Sequence, residues 1–335
     1  MPLSTSIAIC TYNGERFLQE QLDSLLRQTQ LPDQIVIRDD LSSDRTVAIL
    51  HEFVPYARAL GIDVDFRINE QNLGYRRNFD RALRACTCDL IFLCDHDDVW
   101  FPEKISRFCS AFTDRPGLLA LHSDAALIDE QSKALSSTLF SSLLLTRSEV
   151  ERMHRGSGFE VMLKRNIMTG AAMAFRRSVL SYALPLPESG WVHDAWIGTL
   201  AAMVGDVDSL EKRLIGYRIH AGNQLGLGGN DHRPRDLRRA AQLRNEHVQT
   251  STLLERARSL GAQPRLISLV TQKKEHMAIR ANLPVSRLKR IPRVISEYLE
   301  GNYGRYGRGA LSAAVDLVRS RTLDSGLNVS VEKSD

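Results

Sequence analysis

Apolar and polar positions along the first hundred residues fall into blocks whose lengths predict strand, helix, strand, helix. Ser6–Cys10, Gln34–Arg38, Val64–Ile68 and Leu90–Leu93 are short apolar runs bounded by polar turns, the length of buried parallel strands. Between them apolar residues recur at helical spacing. Phe17, Leu18, Leu22, Leu25 and Leu26 mark a helix over Glu15–Arg27, Asp44 is the N-cap of a helix over Arg45–Tyr56, and a third helix covers Arg76–Ala85. This alternation argues an α/β fold with a mostly parallel sheet flanked by helices.

The pattern then loosens. Pro102–Phe112 reads as a helix with Pro102 near its first position. Leu118–Leu121 and Ala125–Ile128 read as two strands around His122-Ser123-Asp124, and 131–158 as an irregular Ser-rich loop with a helix near Arg147–Met153. Thr169–Phe175 is a further strand, a helix of small residues runs through Val204, and Tyr217–His220 is the last stretch of a first domain, residues 1–228, with the boundary falling in the glycine-rich Gly222–Gly229. Residues 229–335 read as a helical C-terminal region, interrupted near Gly261–Pro264 and Pro284.

At 335 residues and 43% hydrophobic, the chain can bury a large core. No apolar run approaches the roughly 18 residues of a membrane-spanning helix, and Met1-Pro2-Leu3 leads straight into a strand, so a cytoplasmic protein is expected. Five cysteines, an odd number, read as reduced thiols. Charge changes the picture more. The net is +4, but residues 231–335 carry 20 Lys/Arg against 11 Asp/Glu. A basic region suggests an anionic partner. No aromatic-interleaved basic platform speaks for nucleic acid. Arg287, Lys289, Arg290 and Arg293 alternate with Leu288, Ile291, Val294 and Ile295, an amphipathic basic stretch that suggests peripheral contact with the inner face of a membrane.

Candidate chemistry collects where strands end. In a parallel α/β sheet ligands bind beyond the carboxyl ends of the strands. Three of those ends here read Thr11-Tyr12-Asn13, Asp39-Asp40 and Asp95-His96-Asp97-Asp98. Clustered carboxylates repel one another unless a cation joins them, and Mg²⁺ or Mn²⁺, which prefer oxygen ligands and bridge to phosphates, suit Asp95 and Asp97. No Gly-x-Gly-x-x-Gly and no Walker-type loop is present, so phosphates would be held by metal and side chains.

With these residues in view, residues 4–225 resemble the family 2 glycosyltransferases of the GT-A fold, in particular bacterial rhamnosyltransferase-like members acting on surface polysaccharides. The resemblance rests on Ile-Ala-Ile-Cys-Thr-Tyr-Asn-Gly, Ile-Val-Ile-Arg-Asp-Asp-Leu-Ser-Ser-Asp, Asn72-Leu73-Gly74 with Asn78-Phe79, and Asp95-His96-Asp97-Asp98-Val99-Trp100 with Pro102 and Lys104. Thr169-Gly170, His193-Asp194 and Tyr217-Arg218-x-His220 follow in order. It implies transfer of a sugar, with inversion, from a dTDP- or UDP-sugar to a saccharide or lipid-linked acceptor, rhamnose being the family-based expectation. Carried over, Thr11, Tyr12, Asn13, Asp39, Asp40, Arg77 and Asp95 would hold the donor nucleotide, with Tyr12 on the base and Asp40 at its edge. Asp95, Asp97 and His220 would hold the metal, and Asp194 would be the catalytic base. Trp191 and Trp196 flank Asp194 and would stack on the acceptor sugar; Trp100 would shape the same pocket or pack in the core. His193 and Arg218 are expected to be scaffold. Two alternatives stay open. A sugar-phosphate nucleotidyltransferase has a Gly-x-Gly-Thr-Arg loop where this chain has Thr11-Tyr12-Asn13-Gly14-Glu15-Arg16, and an inactive carbohydrate- or partner-binding module would have no need of Asp95, Asp97 and Asp194 together.

Overall fold

Strand β1 (Thr5–Thr11) is buried along its whole length, between β2 (Gln34–Asp39) on one side and β4 (Leu90–Cys94) on the other, with β3 (Asp63–Ile68) outside β2. All four run parallel, so their carboxyl ends share one edge of the sheet. Burial on both faces is what an uninterrupted apolar strand requires. The computed structural model describes residues 2–221 and 235–319; the glycine-rich Gly222–Gly229 falls outside them.

The crossovers are α1 (Leu18–Leu26), α2 (Thr46–Ala59) and α3 (Tyr75–Ala85). α1 begins later than the sequence pattern suggests, because the amides of Phe17 and Leu18 both donate to the Gly14 carbonyl in a turn. It buries Leu18, Leu22 and Leu25 at the helical spacing that marked it.

Past β4 the sheet becomes mixed. β8 (Met173–Arg176) lies antiparallel between β4 and β6 (Leu118–Ile128), and β7 (Ala134–Thr138) pairs with β6. β6 runs parallel to β9 (Asp206–Arg218), which carries the two-residue β5 (Val99–Trp100) on its far side. The sheet is therefore parallel in its first half and mixed in its second. Three sequence expectations change here. β6 is one strand, not two: register shifts at Ser123 and Asp124 let it continue, and Asp124 Oδ1 is satisfied by the Ala125 and Phe140 amides. β7 lies inside the stretch read as irregular. β9 begins well before Tyr217, its polar Glu211-Lys212-Arg213 standing exposed in mid-strand.

Helix α4 (Lys104–Asp114) covers the sheet beside β4, packing Phe108 against Phe92 with ring centroids 5.4 Å apart. The short helices α5 (Leu139–Ser142), α6 (Arg147–His154), α7 (Gly158–Lys164) and α8 (Leu180–Ala183) precede α9 (His193–Val204). α6 opens with a capping box in which Thr146 and Glu149 each bond the other's amide. All five cysteines are free thiols.

These elements form one compact unit up to residue 221; residues 163–165 and 189–191 join 235–319 in a second. The second unit contains α10 (Arg235–Ser259), α11 (Pro264–Ala281), α12 (Arg287–Leu299), α13 (Asn302–Tyr306) and α14 (Ala310–Val318). Its small apolar core holds Leu283, Val294, Tyr303 and Ala313. No helix of the described residues is long and apolar enough to cross a membrane.

His122, fully buried on β6, has no hydrogen-bond partner for either ring nitrogen among the described residues. Burial pushes its pKa down to about 4, against a small opposing pull from Asp208. In the unfolded chain it takes a proton near pH 6.5. Stability is therefore complete above that pH and falls as the pH drops towards 4, by up to roughly 3 kcal/mol from this group. His122→Gln should remove that part of the slope in urea-unfolding midpoints measured from pH 7 to pH 4; an unchanged slope would mean His122 does not titrate so.

Candidate active site

Asp95, Asp97 and Asp98 stand directly beyond β4, whose five residues are all buried. Three carboxylates within four positions need counter-charges, and separate elements supply them. Arg218, fully buried at the end of β9, is the hub. Its amide donates to Asp98 Oδ1 at 2.9 Å and its Nε to the Asp97 carbonyl at 2.6 Å. Its Nη1 reaches the Asp129 carbonyl and Ser132 Oγ, and its Nη2 pairs with Glu20 of α1 at 2.6 Å. His220, two residues on, places Nε2 2.9 Å from Asp97 Oδ2. Burial works against the Asp97 carboxylate, but the His220 bond and the nearby His96 and His220 charges outweigh it and hold Asp97 below the usual carboxylate range.

Asp95 is different. Desolvation, then repulsion from Asp97 and Asp194, push it up to about 7 against the attraction of Lys104. Asp98, almost wholly enclosed, is raised well above normal by burial and by the charges of Asp97 and Asp95. Its Oδ2 has no hydrogen-bond partner among the described residues. Lys104 is buried beneath the acids. Its Nζ donates to the Ala171 carbonyl at 2.5 Å and lies 3.6 Å from the centre of the Trp100 ring. Burial lowers its pKa to about 7, against the pull of Cys94, Asp98 and Asp95. The sequence assigns no role to Lys104 or Asp98; a lysine at the start of an amphipathic helix, on its apolar face, is the signal it offers.

Asp194 arrives from elsewhere in the chain. It sits in the first turn of α9, where Val192 occupies the N-cap position. Its Oδ2 accepts the Gly170 amide at 2.8 Å and its Oδ1 the Ala195 amide at 2.6 Å. Gly170 allows this approach, since a Cβ there would lie 3.3 Å from both Asp194 Cβ and Oδ2. His193 beside it is buried and stacked on Phe79 at 3.9 Å, and its pKa is lowered by burial. That Asp194 bears on Asp95 electrostatically brings acids from the ends of two distant segments into one neighbourhood.

At the ends of β1 and β2 the polar residues mostly bind one another. Asp39 accepts Thr11 Oγ1 at 2.7 Å and both the amide and hydroxyl of Ser42. Asn13, at φ +47°, accepts the Ser43 amide through its side-chain oxygen. Asp40, expected at a nucleobase edge, is buried and turned inward: Oδ1 accepts Asn69 Nδ2 and the Leu73 amide, and Oδ2 the Gly74 amide, all at 2.8 Å. A carboxylate at a strand end met unpaired loop amides and took them. Tyr12 keeps 40% of its surface exposed on this edge, as does Leu41 at 48%, a residue the sequence did not single out. Arg77 is exposed, with Nη2 3.4 Å from Glu188 Oε1.

The acceptor-stacking expectation for the tryptophans fails. Trp196 is completely enclosed with its indole N–H on the Ala183 carbonyl, and Trp100 is buried against Phe92 and Lys104. Trp191 belongs to the second unit, is buried, and donates to the Gln249 carbonyl. None offers a ring face to a sugar. Nor do three His, Cys, Asp or Glu side chains among the described residues form a ready metal cage. Asp95 and Asp97 supply oxygen donors of the type a hard divalent ion prefers, and His220 Nε2 lies on Asp97 Oδ2.

The sequence of residues 6–182 matches the model of glycosyl transferase family 2. The chain belongs to that family. An uncharacterized glycosyltransferase of Nostoc sp. is 26% identical over 231 residues, 66% of each chain. A dTDP-rhamnosyl transferase of Shigella flexneri is 36% identical over 103 residues, 30% of this chain and 35% of its own. The chain thus spans two thirds or less of the curated relatives it matches. Among solved structures, residues 1–349 of Staphylococcus aureus TarS bound to UDP-GlcNAc superpose with a TM-score of 0.54 at 16% identity, over 94% of this chain and 82% of that one. A mannosyltransferase of Pyrobaculum calidifontis with GDP-Man and Mn²⁺ gives 0.53 at 15% identity, over 94% and 78%. These likenesses establish the GT-A fold.

The inward role of Asp40 has a direct consequence for the family 2 fold here. Charge-assisted bonds to loop amides are each worth roughly 1.5–3 kcal/mol. Asp40→Ala should therefore lower stability by about 2–4 kcal/mol in urea unfolding with no nucleotide present. An Asp40 that served only to touch a base would leave that midpoint where it is.

Proposed function

We propose that the chain is an inverting glycosyltransferase that moves a sugar from a nucleoside diphosphate donor to an acceptor hydroxyl. The observation that carries this is the convergence at one sheet edge of Asp95, Asp97 and His220 with Asp194. Acids with split environments are what a reaction needs when a diphosphate leaves and a hydroxyl must lose its proton.

In this reading the acceptor oxygen attacks the anomeric carbon as the bond from that carbon to the diphosphate oxygen breaks on the opposite face. Asp194 takes the hydroxyl proton. Each of its oxygens accepts one backbone N–H, which fixes the carboxylate plane and leaves a lone pair on each for the incoming proton. Asp95, Asp97 and His220 would hold Mg²⁺ or Mn²⁺, and a bound ion of that charge offsets the negative charge growing on the departing diphosphate. Arg218 and Lys104 hold the acids in place from behind. Tyr12, left exposed, supports a stacking role under the base, and Thr11, Asn13 and Asp39 shape the loop around it. The named activity of the Shigella relative supports dTDP-rhamnose as the first donor to try, and a saccharide or lipid-linked acceptor of a surface polysaccharide suits such a donor.

Release of nucleoside diphosphate from a panel of dTDP-, UDP- and GDP-sugars, with Mn²⁺ or Mg²⁺ and again with chelator, tests the reading. One donor should turn over, with loss of turnover in chelator. Asp194→Asn should reduce kcat by about 10²–10⁴ while donor binding persists, since general-base catalysis is worth that much. Asp97→Ala should weaken donor binding and turnover together. Wild-type turnover in Asp194→Asn would remove that residue from the mechanism, and no turnover of any donor with acceptors supplied would defeat the transferase reading.

A further inference from the structure

Helix α12 is inside out. Towards the core of its unit it presents Arg290, Val294 and Glu297. Towards solvent it presents Leu288, Ile291, Ile295, Tyr298 and Leu299, with Leu288 and Leu299 78% and 79% exposed. At about 100° per residue these five lie on one stripe, with Pro292 among them. Exposed Arg287 falls on one border of the stripe, exposed Lys289 and Arg293 on the other. Val285, just before the helix, is half exposed, and α14 beside it leaves Leu311 and Val318 uncovered.

The interior of the same unit is correspondingly polar. Arg280 Nε pairs with Asp316 Oδ2 at 2.6 Å, and Tyr303 donates to the same oxygen. His276 Nδ1 lies 2.5 Å from Glu297 Oε2. Arg290 donates to the carbonyls of Pro284, Val285, Asp316 and Arg319. The sequence pattern put Arg290 and Val294 on the amphipathic surface; both are enclosed, and Tyr298 and Leu299 take their places outside. Two of the three acids in residues 285–319, Glu297 and Asp316, are buried in these pairs, which leaves Glu300 as the surface acid of that segment.

We propose that the outward stripe of α12 docks on an anionic lipid membrane, lying in the plane of the interface. An apolar ridge bordered by long basic side chains matches that environment, because the ridge enters the acyl boundary while lysine and arginine stems reach up to acidic headgroups. Charge decides against a second copy of the chain. A symmetric pairing through this stripe would set the basic borders of both copies against each other, whereas anionic lipid neutralises them. The contact is interfacial and not spanning, as no described helix is long and apolar enough to cross.

Flotation of the full chain with phosphatidylglycerol-containing vesicles, against pure phosphatidylcholine vesicles, tests this and reads no catalysis, so its result is separate from that of the transferase reading. The chain should float with the anionic vesicles at low salt, less so at high salt, and not with the neutral ones. Leu288→Ser with Ile295→Ser should cut the bound fraction ~tenfold or more, since both side chains contribute apolar burial at the interface. Circular dichroism and the unfolding midpoint of that variant should match the parent, because both residues are exposed. In Tyr298→Trp, the emission of the new indole should shift to the blue when anionic vesicles are added. Absence of binding to anionic vesicles overturns the proposal, as does undiminished binding by the double variant. A concentration-dependent dimer in sedimentation, dissolved by the same two substitutions, would give the stripe to a second copy instead.

Discussion

Three carboxylates crowded at the end of one buried strand set the main constraint on this fold. Asp95, Asp97 and Asp98 cannot all be charged in a poorly solvated place unless positive groups reach them. Nothing close in sequence could supply enough. The compensation comes from β9, whose Arg218 amide bonds Asp98, with His220 just beyond it meeting Asp97, and from α4, which slides Lys104 beneath the loop. β5 explains how β9 gets there: Val99 and Trp100, immediately after the acids, pair with Ile215 and Gly216 and tie the two strand ends together. The mixed second half of the sheet is thus the means by which the acids acquire their partners.

That dependence decides what the sequence makes legible. The first four strands could be read because burial on both faces leaves unbroken apolar runs, and their polar ends pointed to one sheet edge. β9 and the middle of β6 could not, because both carry polar residues in mid-strand. Glu211, Lys212 and Arg213 face water, whereas His122, Ser123 and Asp124 are buried. The two cases look alike in sequence and have opposite physical causes. Side-chain type likewise says little about direction. Asp40 is as polar as Asp97, yet its neighbours include unpaired amides at Leu73 and Gly74, so it turns inward. The three tryptophans had the chemistry to meet a sugar, but large aromatic surfaces are equally strong core formers, and here they are buried.

Asp194 shows the opposite situation, a position fixed by what a neighbour lacks. Its approach to the Gly170 amide depends on the missing Cβ at that residue, and Gly170 belongs to the small-residue stretch leading into β8. β8 pairs with β4, the strand that ends in the acids. One sheet therefore sets both the acid loop and the anchor of Asp194, although about a hundred residues of chain separate them. Only the small residues Thr169-Gly170-Ala171-Ala172 hinted at that closeness.

Buried charge occurs in both units, and its place in each fold separates two uses of it. In the helical unit the buried arginines, acids and histidine bind chiefly one another and carbonyl ends, as with Arg280, Asp316 and Tyr303, and the result is to pin helices that share only a small apolar core. At the β4 edge the buried acids stand at the ends of strands. Asp98 keeps an oxygen with no partner among the described residues, and Asp95 and Lys104 are both displaced from their ordinary ionisation by burial. Evolved interiors rarely leave such groups without a reason. Perturbed acids gathered at the carboxyl ends of parallel strands mark a candidate functional site, whereas the helical unit's pairs lie in its interior. In the transferase reading proposed above, a nucleoside diphosphate with its cation would enter there.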